Sequence, residues 1–211
     1  MTEKPVCGSE SLFRLLCQAN ELRYKKEYRA AVALYLEAIE KIGRHADLSC
    51  VIAACYFAVA ASNPNETGES FDKAILWMER AIVLEPDNPY LHVSLAQYYC
   101  LGTLEYEKAA QEYCQALSMN PNELEALVGA AALYGVPEKA VTLDEAIGWL
   151  ERATQLAPGN PNYYLRLGDL YWEAERVSQA ESTWLKALLC SEPLESGTTR
   201  IAEAMSQSDD R

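Results

Sequence analysis

Five times along the chain the same spacing of small and large apolar residues returns. An alanine is followed by a large apolar residue four positions on, and by a second alanine three beyond that: Ala31-Tyr35-Ala38, Ala74-Met78-Ala81, Ala109-Tyr113-Ala116, Ala146-Leu150-Ala153 and Ala180-Trp184-Ala187. Positions i, i+4 and i+7 share one face of an α-helix, so the spacing predicts five helices with a small–large–small seam. Two small residues a heptad apart let a neighbouring helix come close, and the large residue fills the gap between them. The first alanines are 43, 35, 37 and 34 residues apart. Turn residues follow the middle three helices, at Glu85-Pro86-Asp87-Asn88, Asn120-Pro121-Asn122 and Ala157-Pro158-Gly159-Asn160-Pro161. Proline there cannot continue the helix and resets the chain for the next one. The first of the five ends instead at Lys41-Ile42-Gly43-Arg44, and the fifth at Ser191-Glu192-Pro193.

Each of these helices follows another with its own pattern, fullest as Tyr164, Leu167-Gly168 and Tyr171, with a turn at Glu175-Arg176. Weaker versions are His92, Leu95-Ala96, Tyr99; Leu127, Ala130-Ala131, Tyr134; Ser49, Ile52-Ala53, Tyr56; and Leu15, Gln18-Ala19, Leu22. On these residues the chain resembles the tetratricopeptide repeat family, a helix–turn–helix unit of about 34 residues. The resemblance implies an all-α fold, an α-solenoid of about five repeats with a C-terminal capping helix. The repeats would span about 11–44, 46–88, 89–122, 124–160 and 161–193, after an N-terminal tail at 1–10. Residues 194–211 would form the capping helix, with Ile201 and Met205 on one side of Thr198 to Met205, and a frayed tail. Three repeats exceed the basic length at the turn between their own helices. Repeat two carries nine extra residues, the polar stretch Ser62 to Ser70; repeat four carries three around Gly135 to Lys139, and repeat three carries one. Such insertions are expected as loop tips.

In this family the first helix of each pair lines a concave groove that holds a partner's peptide or helix. Helix phase then selects groove positions one or two steps from the signature residues. They are Cys50, Ala54 and Phe57 in repeat two; Val93, Gln97 and Cys100 in repeat three; Val128, Ala132 and Gly135 in repeat four; and Leu165, Asp169 and Trp172 in repeat five. Phe57, Val93, Val128, Leu165 and Trp172 would make one apolar stripe, suited to an apolar peptide or amphipathic helix. Chaperone adaptors of the family grip an acidic C-terminus with Lys, Asn and Arg at these places. Here the positions hold Cys50, Val93, Val128 and Leu165, with Asp169 beside them, which disfavours that ligand.

The 211 residues carry 18 basic and 31 acidic side chains, a net charge of −13. Capture of nucleic acid or an anionic membrane is therefore not expected. Residues 1–45 hold eight basic and six acidic residues, so the net negative charge lies wholly beyond them. Arg23-Tyr24-Lys25-Lys26, at the first turn, would be a solvated turn, or a basic end for an acidic partner or a second copy. No apolar run is long enough to cross a bilayer, and Met1 to Pro5 lacks the start of a secretory leader. Seven cysteines without framework spacing fit reduced thiols and a cytoplasmic protein, and Cys50 and Cys55 lack the spacing of a zinc pair.

Phosphate loops, nucleophile elbows and zinc-protease motifs are missing, so neither catalytic residues nor a cofactor or metal is expected. His92 reads as a packing residue. The acidic pairs Glu105/Glu107, Asp144/Glu145 and Glu173/Glu175 read as helix-start or turn carboxylates. The resemblance thus implies a non-enzymatic scaffold or adaptor that binds one or more proteins. A secretion-type or assembly chaperone, and a stable subunit of a larger complex, remain open alternatives. The aromatics Trp77, Trp149 and Trp184 on second helices would be convex-face contacts or inter-repeat packing.

Overall fold

The structure, a computed structural model, describes residues 7–62, 67–137 and 140–191. The expected capping helix and tail lie outside the described residues. Among the described residues ten α-helices follow one another: α1 (Cys7–Tyr24), α2 (Tyr28–Ile42), α3 (Ala46–Ser62), α4 (Thr67–Leu84), α5 (Pro89–Tyr98), α6 (Tyr106–Met119), α7 (Leu124–Ala132), α8 (Leu143–Leu156), α9 (Pro161–Glu173) and α10 (Val177–Ser191). The described residues contain no strand. Two compact units divide the chain, one ending at Met119 and the other starting at Asn120. In the first, each of α1 to α5 packs on the next; in the second, each of α7 to α9 does so. α1 starts at Cys7, within the stretch expected as N-terminal tail.

The small–large–small seam is the core. All ten alanines are buried, nine of them with no exposed surface. Tyr35, Met78, Tyr113 and Leu150 between them are buried as well, while Trp184 is half-buried. Trp184 lies so close over Gly168 that a Cβ there would sit 2.3 Å from its ring nitrogen. The glycine of the first-helix signature is thus set by a close approach rather than by its backbone freedom. Tyr99 and Tyr171, at the same place in their pairs, tie each pair to the one before. The Tyr99 hydroxyl donates to Glu79 of α4 (3.3 Å), and the Tyr171 hydroxyl to Glu151 of α8. Burial and the neighbouring carboxylate push both phenols up to about 12.

Prolines start helices as well as ending them. Pro89 and Pro161 are the first residues of α5 and α9, each after an Asn whose side chain accepts an N–H two residues on (3.1 Å). Proline suits that place, because its missing N–H has no partner in the first turn. The chain enters α8 through a capping box between Thr142 and Glu145, and the Thr142 hydroxyl and N–H hold the Glu145 carboxyl below its ordinary value.

The turns within pairs show where extra residues go. In the first and fifth pairs Lys26 (φ 64°) and Glu175 (φ 58°) are left-handed. There Glu27 N–H donates to Leu22 O (2.9 Å) and Arg176 N–H to Tyr171 O (2.8 Å), each five residues back. In the third pair Leu104 (φ 58°) has the left-handed role, but Glu105 N–H reaches six residues back, to Tyr99 O (3.1 Å). The single extra residue is taken up by a π-helical turn, Tyr99–Thr103. Repeat four keeps its extra residues in the connection, beyond a 3-10 turn at Leu133–Gly135. In repeat two, residues 63–66 at the expected loop tip lie outside the described residues. Its α3 runs on to Ser62 and its α4 begins at Thr67, so most of the insert lengthens both helices by about a turn. Val59, Ala60, Ser70 and Phe71 are buried in that longer hairpin, which gives the two lengthened helix ends something to pack against.

Two substitutions test this account. Gly168→Ala forces the Trp184 ring to move and should destabilise the protein by about 1–3 kcal/mol in denaturant unfolding; an unchanged midpoint would refute the close packing. Leu104→Gly removes a side chain from left-handed backbone and should stabilise by about 0.5–1 kcal/mol. A lower melting temperature for that variant would contradict the turn geometry.

Candidate functional site

The outward positions of the first helices are the surface that the family resemblance singles out. In the first unit they form two different environments. Between α1 and α3 a groove of about 620 Å³ is lined by Asn20, Arg23, Tyr24, Ala54 and Ala58. Asn20 and Arg23 occupy on α1 the places that Ala54 and Phe57 occupy on α3. Sequence reasoning passed over them because the α1 signature is weak, although counting from Leu15, Ala19 and Leu22 selects them. Asn20 is already engaged, accepting a hydrogen bond from the Tyr35 hydroxyl (2.8 Å). Arg23 and Tyr24 complete the last turn of α1, and only Lys25 and Lys26 make the turn itself.

Farther along this unit, the apolar stripe expected at Phe57 and Val93 is not a free surface. Val93 is 2% exposed. Phe57 is half-buried, stacked on Tyr98 (4.6 Å between ring centroids) and edge-on to Phe71 (5.2 Å). Phe71 belongs to α4 and in turn presses on Gly102 in the π-helical turn. The longer hairpin, through Phe71, and Tyr98 at the end of α5 thus close over Phe57. Cys50 is half-buried with its thiol 3.9 Å from the Met78 sulfur. Burial first, and then the Asp47 and Glu85 carboxylates, push that thiol up to about 11, so it stays protonated and unreactive at neutral pH. Gln97 and Cys100 are half-buried, and Cys100 is also shifted up by burial. His92 is buried, with Nδ1 2.7 Å from Glu112 and Nε2 3.2 Å from the Pro86 carbonyl oxygen, and serves packing. No group of three or more potential metal ligands occurs among the described residues.

The second unit keeps an open first-helix face. Between α7 and α9 lies a groove of about 530 Å³, with Ala132, Gly135 and Leu170 as its small and apolar floor and Arg166, Asp169 and Glu173 at its rim. The Tyr134 hydroxyl donates to Glu173 across it (2.5 Å). Val128 is half-buried on α7. Leu165 and Trp172, one heptad apart on α9, are 44% and 57% exposed. The Trp172 ring leans on that of Trp184, 5.9 Å between centroids, and the Trp184 ring N–H donates to Asp169 (3.2 Å). Asp169, expected only as a groove charge, therefore also fixes the aromatic pair. Of the second-helix aromatics, Trp77, Trp149 and Trp184 are half-buried and pack against the cores of their units, which favours the packing reading.

No protein-family model and no curated protein matches the chain. Solved structures do. YrrB, described as a TPR protein with an unusual peptide-binding site, is 23% identical, with a TM-score of 0.63 over 84% of each chain. The MamA protein is 16% identical, with a TM-score of 0.70 over 86% of this chain and 92% of that one. MamA from Desulfovibrio magneticus RS-1, from residue 41 to its end, is 12% identical, with a TM-score of 0.69 over 85% and 94%. Identities this low carry the fold and not the function. The repeated seam, the consecutive helix pairs and these likenesses converge: the chain has the fold of the tetratricopeptide-repeat proteins.

Proposed function

We propose that the protein is a non-enzymatic scaffold or adaptor that binds a segment of a partner protein on its first-helix surface. The carrying observation is Trp172, a large ring more than half exposed yet braced by Trp184, which Asp169 holds. A side chain fixed before binding loses little rotamer freedom when a partner covers it, so it can contribute most of its apolar area to affinity. Leu165 extends the apolar surface along α9, and the groove beside it offers Arg166 and Asp169 to the backbone or polar side chains of a peptide. The peptide-binding site named for YrrB supports the same use of the fold. Six free cysteines among the described residues fit a reducing compartment such as the cytoplasm. No described helix is long and apolar enough to cross a membrane, so the reading needs no membrane insertion.

The test is affinity capture of a partner with the full chain, followed by titration of that partner against wild type, Trp172→Ala and Arg23→Ala. Loss of the ring should weaken binding about thirtyfold with the helical signal intact, while Arg23→Ala changes affinity little. Equal affinities for wild type and a folded Trp172→Ala would move the interaction off the first-helix surface.

A further inference from the structure

The second helices of the first unit differ on the side turned away from the core. Counting from the buried alanines, three exposed positions can be compared in α2, α4 and α6. They hold Ala33, Glu37 and Glu40 in α2, and Gln111, Gln115 and Ser118 in α6. In α4 the same positions hold Leu76, Arg80 and Val83. The α6 positions are all polar and those of α2 pair two glutamates with a small alanine, whereas α4 carries two large apolar residues, Leu76, 45% exposed, and Val83, 75% exposed. These residues wall a groove of about 550 Å³ together with Ile39, Trp77, Leu84 and Arg44. The Arg80 guanidinium lies over the Trp77 ring, 4.5 Å from its centroid, which holds the cation in the middle of the apolar stripe. Neither Arg44 nor Arg80 has a carboxylate partner among the described residues. Glu79, also in the groove wall, accepts the hydrogen bond from Tyr99. The groove therefore presents two guanidinium groups among apolar side chains, neither matched by a carboxylate among the described residues, on a chain whose net charge is −13.

We propose that this second-helix groove, walled by Leu76, Arg80, Val83 and Arg44, docks an amphipathic helix of a partner protein that carries a carboxylate within its apolar stripe. Spacing and charge both select that occupant. Leu76, Arg80 and Val83 stand at i, i+4 and i+7, the interval at which a second helix presents its own side chains. A carboxylate inside the stripe meets a guanidinium that the Trp77 ring already holds in place, and a charge-assisted hydrogen bond between them is among the strong ones. The rest of the acidic surface repels a uniformly acidic helix, so the fitting partner is near neutral overall, with its acidic residue placed at the groove. This surface is separate from the first-helix face and does not rest on the function proposed for it.

The probe is a fluorescein-labelled helical peptide with Leu at i, i+4 and i+7, one Glu at i+3, and Ala, Gln and Ser elsewhere. Its twin has Lys in place of Glu. Anisotropy titrations with the full chain should show the Glu peptide binding about tenfold or more tightly than the Lys peptide. The double variant L76Q/V83S, which gives α4 the residues that α6 has, should weaken Glu-peptide binding about tenfold or more. Arg80→Glu should reverse the preference in favour of the Lys peptide, and it tests the idea even if the double variant folds poorly. Trp172→Ala should leave all these affinities unchanged. No binding of the Glu peptide up to about 1 mM, equal binding of the two peptides, or no reversal in Arg80→Glu would overturn the proposal. So would a concentration-dependent dimer of the wild type, seen by sedimentation and lost in L76Q/V83S, because a second copy would then occupy the groove.

Discussion

Close approach of helices across paired alanines is the contact on which the rest of this protein depends. With no side chain beyond Cβ at either end of the heptad, one helix can settle against another near the short end of the usual interaxial range, about 8–10 Å. The large residue between the alanines then fills the remaining space in each pair. Repetition turns a local device into an architecture: each pair leaves one apolar face that only the next pair can bury. The Tyr99–Glu79 and Tyr171–Glu151 hydrogen bonds add direction to this non-directional packing, since each fixes the register of one pair on the preceding one.

That constraint also decides where the repeats can vary. The seam spacing is the same in every pair, so extra residues are confined to the turn within a pair, and three different solutions appear. One extra residue widens a helical turn into a π-turn and moves the closing hydrogen bond back by one residue. Three lengthen a connection. In repeat two the described part of the insert lengthens α3 and α4 into a taller hairpin with a buried flank of its own. The last is not neutral toward its neighbours, because Phe71 from the taller hairpin meets Gly102 in the widened turn and covers Phe57. Two departures from the basic repeat, adjacent in the chain, thus depend on each other.

The same geometry leaves two kinds of exposed apolar surface. On α9 it is aromatic, braced and bordered by charged groups. On α4 it is aliphatic and crossed by an arginine. Both sit on positions that the seam does not use, where nothing in folding requires an apolar residue. Apolar side chains kept in water at such positions lower solubility without strengthening the core, which is the physical ground for reading them as contact surfaces.

Much of the fold was legible in the residues alone. Alanine spacing is a one-dimensional signal with a direct three-dimensional meaning, so Ala31 through Ala187 marked the second helices, and Tyr164, Leu167, Gly168 and Tyr171 marked the first. Helix phase likewise placed Leu165 and Trp172 on an outward surface. Phase could not say whether an outward position stays open, since that depends on residues distant in sequence. Val93 and Phe57 have the same phase as Leu165 and Trp172, yet they are covered, Phe57 by Phe71 and Tyr98. Ser62 and Thr67 to Ser70 read as loop because composition reports solvent contact, whereas a helix end extends wherever one flank, here Val59, Ala60 and Phe71, finds something to bury against. The sequence determined which faces pack within and between helix pairs; only tertiary structure decided which of the remaining faces meet water, because exposure belongs to neighbours in space and not in the chain.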